Sequence, residues 1–155
     1  MAARASDVKP DVTIVRVFDA PRDLVWKAFT EPEHLARWFG PKGFTAPVCE
    51  ADVRPGGMQR ITMRGPDGTD YPMTATYEEV VPPERLSWNG SVDHAGNVSF
   101  AVYQVATFVE RDGKTELTLQ AFVTRATPES AGALGGMEIG WSQSLDKLDA
   151  LLAQR

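Results

Sequence analysis

At 155 residues the chain is about one ordinary domain long, enough to bury roughly 68–70% of its unfolded surface around a single core. Its formal net charge is −5, from 16 basic and 21 acidic residues mixed along the sequence, which leaves no basic stripe for nucleic acid and no polybasic patch for a membrane. The lone cysteine, Cys49, excludes an internal disulfide and a zinc site built on paired cysteines, and fits a reducing cytoplasm.

No apolar run approaches the ~18 residues of a membrane span, and the opening MAARASDVKPD lacks an apolar signal core. Residues 1–11 are expected to be a flexible tail ahead of one domain over 12–155. Val12 to Phe18, VTIVRVF, sets Val12, Ile14 and Arg16 on one face against Thr13, Val15 and Val17, and its β-branched content predicts a first strand. Asp19 and Pro21 then supply helix-start chemistry for DLVWKAF, in which Leu24, Val25, Ala28 and Phe29 make an apolar stripe. Thr30-Glu31-Pro32-Glu33 has the T-x-x-E form of a capping box and predicts a short second helix carrying Leu35 and Trp38. That helix must stop near Gly40-Pro41, because proline disfavours helical geometry in the residue before it.

From Pro47 to Thr124 the pattern changes to period two. It is broken by Pro55-Gly56-Gly57, Pro66-Asp67-Gly68, Pro82-Pro83, the segment from Asp93 to Asn97, and Asp112-Gly113, which predicts six strands in an antiparallel meander. Asn89-Gly90 also has hairpin chemistry, but only Ser91 and Val92 could pair before the next breaker, so it is read as a bulge. Asp112-Gly113 is the strongest turn signal, and counting outward from it pairs Phe108 with Leu117, Ala106 with Leu119 and Gln104 with Ala121 on one inward face. The opposite face carries Tyr103, Val105, Val109, Thr118 and Phe122. Scattered surface hydrophobes are the plain reading of that face, and a homodimer contact through the outer side of strands 98–111 and 114–124 is the alternative.

Thr127-Pro128 offers an N-cap followed by a proline in the first turn of a long terminal helix. Leu134, Met137, Trp141, Leu145, Leu148 and Leu152 then recur at spacings of three and four, one stripe facing the sheet. Gly132, Gly135, Gly136 and Gly140 crowd the start of this helix, and a glycine in a helix interior costs about 1 kcal/mol against alanine. The expected return is close approach to a neighbouring strand or loop, or a local unwinding at a cavity mouth. A helix that merely begins near Met137 is the competing expectation.

Four stretches, VWKAFTEPEHLARWFGP (25–41), VRPGGMQRITMRGPDGTDYP (53–72), EEVVPPERLSW (78–88) and GWSQSLDKL (140–148), give the chain a resemblance that runs nearly its whole length. It resembles the bacterial homologues of the C-terminal domain of the heat-shock chaperone ATPase activator, the AHSA-type family of the START-like (SRPBCC) superfamily. The resemblance implies an α+β helix-grip fold, like that of the birch pollen allergen: strand, two short helices, and a six-strand meander completing a curved seven-stranded sheet. The long terminal helix would pack on the concave face of that sheet, with an apolar cavity between. It implies little chemistry, because the superfamily holds lipid carriers, hormone receptors, cyclases and chaperone cofactors.

Strand phase, helix phase and the family pattern together place Trp38, Ile61, Met63, Tyr71, Met73, Trp88, Gln104, Phe108, Met137 and Trp141 as cavity-lining candidates. Plain core is the competing reading. Large aromatics with polar edges and adaptable methionines suit a wall that accepts varied ligands. Gln104 and the Tyr71 hydroxyl need partners when buried, and a ligand or water could supply them. His34 and His94 are read as exposed, Glu50 with Asp52 as a solvated pair, and Cys49 as a small buried hydrophobe. No catalytic residue, metal or cofactor is assigned. The expected function is a non-catalytic cytoplasmic carrier of a small hydrophobic or aromatic molecule. A polyketide cyclase or aromatase using the same cavity, and a cofactor of a heat-shock chaperone ATPase in the stress response, are the alternatives.

Overall fold

The structure is a computed structural model that describes residues 9–94, 97–126 and 133–153. Strand β1 (Val12–Phe18) realises its alternation: Val12, Ile14 and Phe18 are buried while Thr13, Val15 and Val17 face outward. The chain is already tied down one residue earlier, where Asp11 donates its N–H to the Ala121 carbonyl and its carboxylate accepts the Val123 N–H, both at 2.8 Å. Helix α1 (Arg22–Thr30) buries Val25, Ala28 and Phe29, and helix α2 (Pro32–Trp38) buries Leu35 and Trp38.

The junction between the two helices departs from the expected capping box. Thr30 is the last residue of α1, and its hydroxyl donates to the Trp26 carbonyl at 2.9 Å. Glu31 is the N-cap residue of α2 and makes no side-chain cap hydrogen bond. The helix starts because Pro32, in its first turn, has its φ preset and no N–H to satisfy.

Six strands follow: β2 (Thr45–Ala51), β3 (Met58–Arg64), β4 (Asp70–Val81), β5 (Arg85–His94), β6 (Asn97–Arg111) and β7 (Lys114–Ala126). They form one antiparallel sheet with β1, in the order β1-β7-β6-β5-β4-β3-β2. The β6–β7 register is the one counted from the turn, with Phe108 opposite Leu117, Ala106 opposite Leu119 and Gln104 opposite Ala121. Asp112 (φ 55°) and Gly113 (φ 79°) are both left-handed, as a two-residue turn matched to strand twist requires.

Asn89-Gly90 is neither a turn nor a bulge. Both residues pair regularly on each side, and the irregularity in that pair of strands falls on β4, between Tyr77 and Glu79. His94 is a strand residue opposite Asn97, not a loop residue. On the outer face Tyr103, Val105 and Phe122 form a small second cluster buried within the single chain, while Val109 remains 38% exposed.

Helix α3 (Ala133–Ala153) crosses the concave face. Its described stretch already includes Gly135, Gly136 and Gly140, so it does not begin at Met137, whereas Thr127-Pro128, Gly132 and the Leu134 side chain lie outside the described residues. Along its C-terminal half Leu145, Leu148 and Leu152 are buried in the main core. Arg16 ties this helix to β1, donating to the Asp146 carboxylate at 2.8 Å and to the Ser142 carbonyl at 3.3 Å.

Candidate ligand-binding site

Under the N-terminal half of α3 the packing opens. Ala75 sits opposite Gly90 and Gly90 opposite Val102, so three adjacent strands present a row of small or short side chains on the concave face. That row is the floor of a cavity of about 230 Å³. Its walls are aromatic and thioether: Phe39, Trp88 and Trp141, with Met63, Met73 and Met137. Phe39 meets Trp141 edge-on at 5.7 Å between ring centroids, and Trp88 lies 6.5 Å from the same indole.

One side of the cavity is closed by the loop between α2 and β2, which is held against a single face of α3. Residues 140, 143, 144 and 147, at helical spacings of three and four, all touch it. A Cβ on Gly140 would come within 3.3 Å of the Pro41 ring, so the helix and loop approach as closely as a missing side chain permits. The Gly40 N–H donates to Ser144 Oγ at 3.1 Å, and Ser144 Oγ donates to the Gly140 carbonyl at 2.9 Å. Gln143 Oε1 accepts from the Lys42 N–H at 3.0 Å. The Lys147 ammonium reaches the Phe44 carbonyl at 3.3 Å and the Pro41 carbonyl at 3.5 Å, and its partial burial lowers its pKa. Gly40 has φ +107°, a conformation other residues rarely adopt, and this is what turns its N–H toward the helix.

The polar groups on the sheet side are few. Trp88 Nε1 donates to Gln104 Oε1 at 2.8 Å, and Gln104 is only 8% exposed. Because an indole N–H only donates, this bond fixes which end of the amide is oxygen. Gln59 Nε2 donates to the Tyr77 hydroxyl at 2.8 Å, and burial pushes the Tyr77 phenol up to about 12. Nearby Cys49 is half-buried opposite Ile61; burial and the adjacent Glu50 raise its thiol to about 11, so it is protonated at neutral pH. Among the described residues lining the cavity none is Asp, Glu, His, Lys or Arg. The arrangement can enclose and orient a small molecule. None of the described wall residues is a ready acid, base or activated nucleophile.

The sequence pattern of the family described as "Activator of Hsp90 ATPase homolog 1-like protein" matches residues 19–153. The chain belongs to this family. Among curated proteins none matches. Solved structures do: protein NE0264 from Nitrosomonas europaea is 27% identical with TM-score 0.81, over 95% of this chain and 97% of that one. Protein CV1439 from Chromobacterium violaceum is 29% identical with TM-score 0.79, over 91% and 95%. Protein Ms6760 from Mycobacterium smegmatis is 30% identical with TM-score 0.75, over 90% and 88%. The family's helix-grip architecture is thus the architecture of this chain.

Within it, six of the ten lining candidates, Met63, Met73, Trp88, Gln104, Met137 and Trp141, lie together on the cavity wall. Trp38, Ile61 and Phe108 do not; they are fully buried core. Trp38 stands one layer behind Trp141, its ring 4.7 Å from Phe29 and its Nε1 donating to the Ala28 carbonyl at 2.9 Å. Phe108 is wedged between Trp26 and Phe29, at 5.5 and 5.2 Å. Tyr71 shares the inward phase of Met73, but it sits past the rim, 41% exposed and 6.0 Å from the Phe44 ring. Its hydroxyl is therefore not a group of the cavity wall. Sequence phase identifies the face of a strand; depth along the strand decides between wall, core and rim.

Phe39, Gly40, Pro41, Gln59, Ala75, Gly90, Val102, Gly140 and Ser144 also line the cavity and were not among the candidates. The floor row was recoverable by carrying the β6 register across β5 to β4. The turn chemistry of Asn89-Gly90 masked it. His34 lies 3.1 Å from Glu31 on α2, and Arg54 holds Asp52 at 2.8 Å, both away from the cavity.

Proposed function

We propose that this protein binds a small apolar or aromatic molecule between its sheet and the N-terminal half of α3, as a carrier rather than a catalyst. The observation that carries the reading is the hollow itself, floored by Ala75, Gly90 and Val102 and walled by aromatic rings and methionines with no charged side chain among its described lining residues. An apolar cavity of about 150 Å³ holds one benzene. By proportion about 230 Å³ suits roughly nine or ten heavy atoms. At roughly 0.5 kcal/mol per atom such a ligand binds with Kd on the order of 0.1–1 mM, and a better-fitting natural ligand binds more tightly.

Gly90 supplies the test. A Cβ there meets nothing closer than 3.8 Å, so a leucine side chain would enter the hollow without an initial clash. Naphthalene should raise the melting temperature of the wild type and leave that of Gly90→Leu unchanged. No shift in either protein, together with no co-purifying molecule in native mass spectrometry of protein from its own cells, would end the carrier reading.

The family's description supports a second reading, a cofactor of a chaperone ATPase acting through its surface. Adding this protein to the host's heat-shock chaperone and following ATP hydrolysis tests it, and unchanged turnover at saturation removes it.

A further inference from the structure

Gln104 is a primary amide more than nine-tenths buried on the cavity wall, and only one half of it is engaged. Its Oε1 is taken by the Trp88 indole N–H at 2.8 Å, which leaves Nε2, with two N–H donors, without an acceptor among the described residues. A buried donor left unsatisfied is destabilising, so the site is completed when an acceptor enters the cavity. The amide head also stands over the hollow above Gly90, since a Cβ at Gly90 would lie 3.9 Å from Gln104 Oε1.

Resting on the carrier reading above, we infer that the ligand is a neutral aromatic carbonyl compound of about nine or ten heavy atoms, its carbonyl oxygen accepting from Gln104 Nε2 and its ring lying among Trp88, Trp141 and Phe39. Neutrality follows from the wall. Among the described lining residues none carries a charge, and a carboxylate or ammonium stripped of water would gain no counter-charge there. Aromaticity follows from three rings and three thioethers around one small space, surfaces that favour stacked and edge-on rings and sulfur–ring contacts. The acceptor follows from the half-used amide. In the unliganded protein a water can fill that role, and the ligand oxygen takes its place.

The experiment uses calorimetric titration with three probes of one size: acetophenone, its isostere α-methylstyrene, in which a methylene replaces the carbonyl oxygen, and benzoate. The hydrocarbon reports every change in packing, and the ketone alone reports the donor. Replacing Gln104→Met should lower the ketone-to-hydrocarbon affinity ratio about tenfold. Should the single variant fail to fold because the Trp88 N–H is orphaned, the paired variant Trp88→Phe with Gln104→Met removes both partners together and should give the same drop. Benzoate should bind the wild type at least about tenfold more weakly than acetophenone. A ratio unchanged within twofold, or benzoate equal to acetophenone, overturns this inference while the carrier reading stands, because the neutral probes still bind. Failure of all three probes to bind overturns the carrier reading and this inference with it.

Discussion

Gly140 on α3 and Pro41 in the α2–β2 loop approach so closely that a Cβ on the glycine would lie 3.3 Å from the proline ring. Ordinarily a helix-interior glycine replaced by alanine gains about 1 kcal/mol from propensity. Here the loop is pinned on both sides of Pro41, by Gly40 to Ser144 and by Lys42 to Gln143, and cannot recede without loss. Gly140→Ala should therefore forfeit that gain and change stability by less than about 0.5 kcal/mol, while Gly140→Leu, which must displace the loop, should lose about 1–3 kcal/mol. Urea denaturation of the three proteins decides the matter. A Gly140→Ala variant more stable by the full propensity increment would show that the close approach imposes nothing.

Ser144 sits at the centre of the same contact. The Gly40 N–H it accepts is buried, and Ser144→Ala leaves that donor with no acceptor among the described residues, at a cost of about 1–3 kcal/mol. Gln143 accepts from the exposed Lys42 N–H, which water can satisfy once the side chain is gone, so Gln143→Ala should cost below about 0.5 kcal/mol. Equal losses in the two variants would remove the distinction drawn here between a buried and a solvated latch.

These two residues also show what the sequence could and could not disclose. Helix phase placed Trp141, Leu145 and Leu148 on one stripe, and the structure buries all three. The neighbouring stripe, Gly140, Gln143, Ser144 and Lys147, carries no hydrophobic periodicity, because its partners are backbone groups of a loop far away in sequence. The register of β6 and β7 was legible from Asp112-Gly113, since a two-residue turn fixes pairing outward from itself. The hollow was not. Local chemistry at Asn89-Gly90 argues for a turn, and only pairing on both sides converts Gly90 into the floor of a cavity. Thr30 misled for a similar reason: its hydroxyl found the i−4 carbonyl of its own helix before it could cap the next.

Cys49 gives a prediction in thiol chemistry. With its pKa raised from 9.0 to about 11 by burial and by Glu50, the thiolate fraction at pH 8 is about a hundredfold lower folded than unfolded. Alkylation by iodoacetamide at pH 8 should be slower by about that factor in native protein than in urea. A native rate within threefold of the denatured one would show that the thiol is open to solvent, and that its place beside Ile61 does not shield it.

Tyr77 gives a prediction at alkaline pH. Its phenol ionises at about 12 rather than 10.0, chiefly because burial disfavours the phenolate, with the Gln59 hydrogen bond opposing. A group that holds its proton more tightly when folded contributes stability that is complete below its unfolded pKa and is lost as pH climbs through the interval to its folded one. For Tyr77 that interval runs from 10.0 to about 12, and Cys49 adds the same sign from 9.0 to about 11. Lys147 works the other way, since burial lowers its pKa and the folded state sheds that proton first, but its ammonium is only partly enclosed. The two acids should prevail, and unfolding free energy should fall steadily above pH 9, by roughly 1–2 kcal/mol for Tyr77 alone. Tyr77→Phe leaves Gln59 without its acceptor and should lower stability at pH 7, yet flatten the descent between pH 10 and 12. Chemical denaturation curves for the two proteins at pH 7, 10 and 11.5 separate these effects, and parallel descents in both would show that the Tyr77 hydroxyl is not held in a dry site.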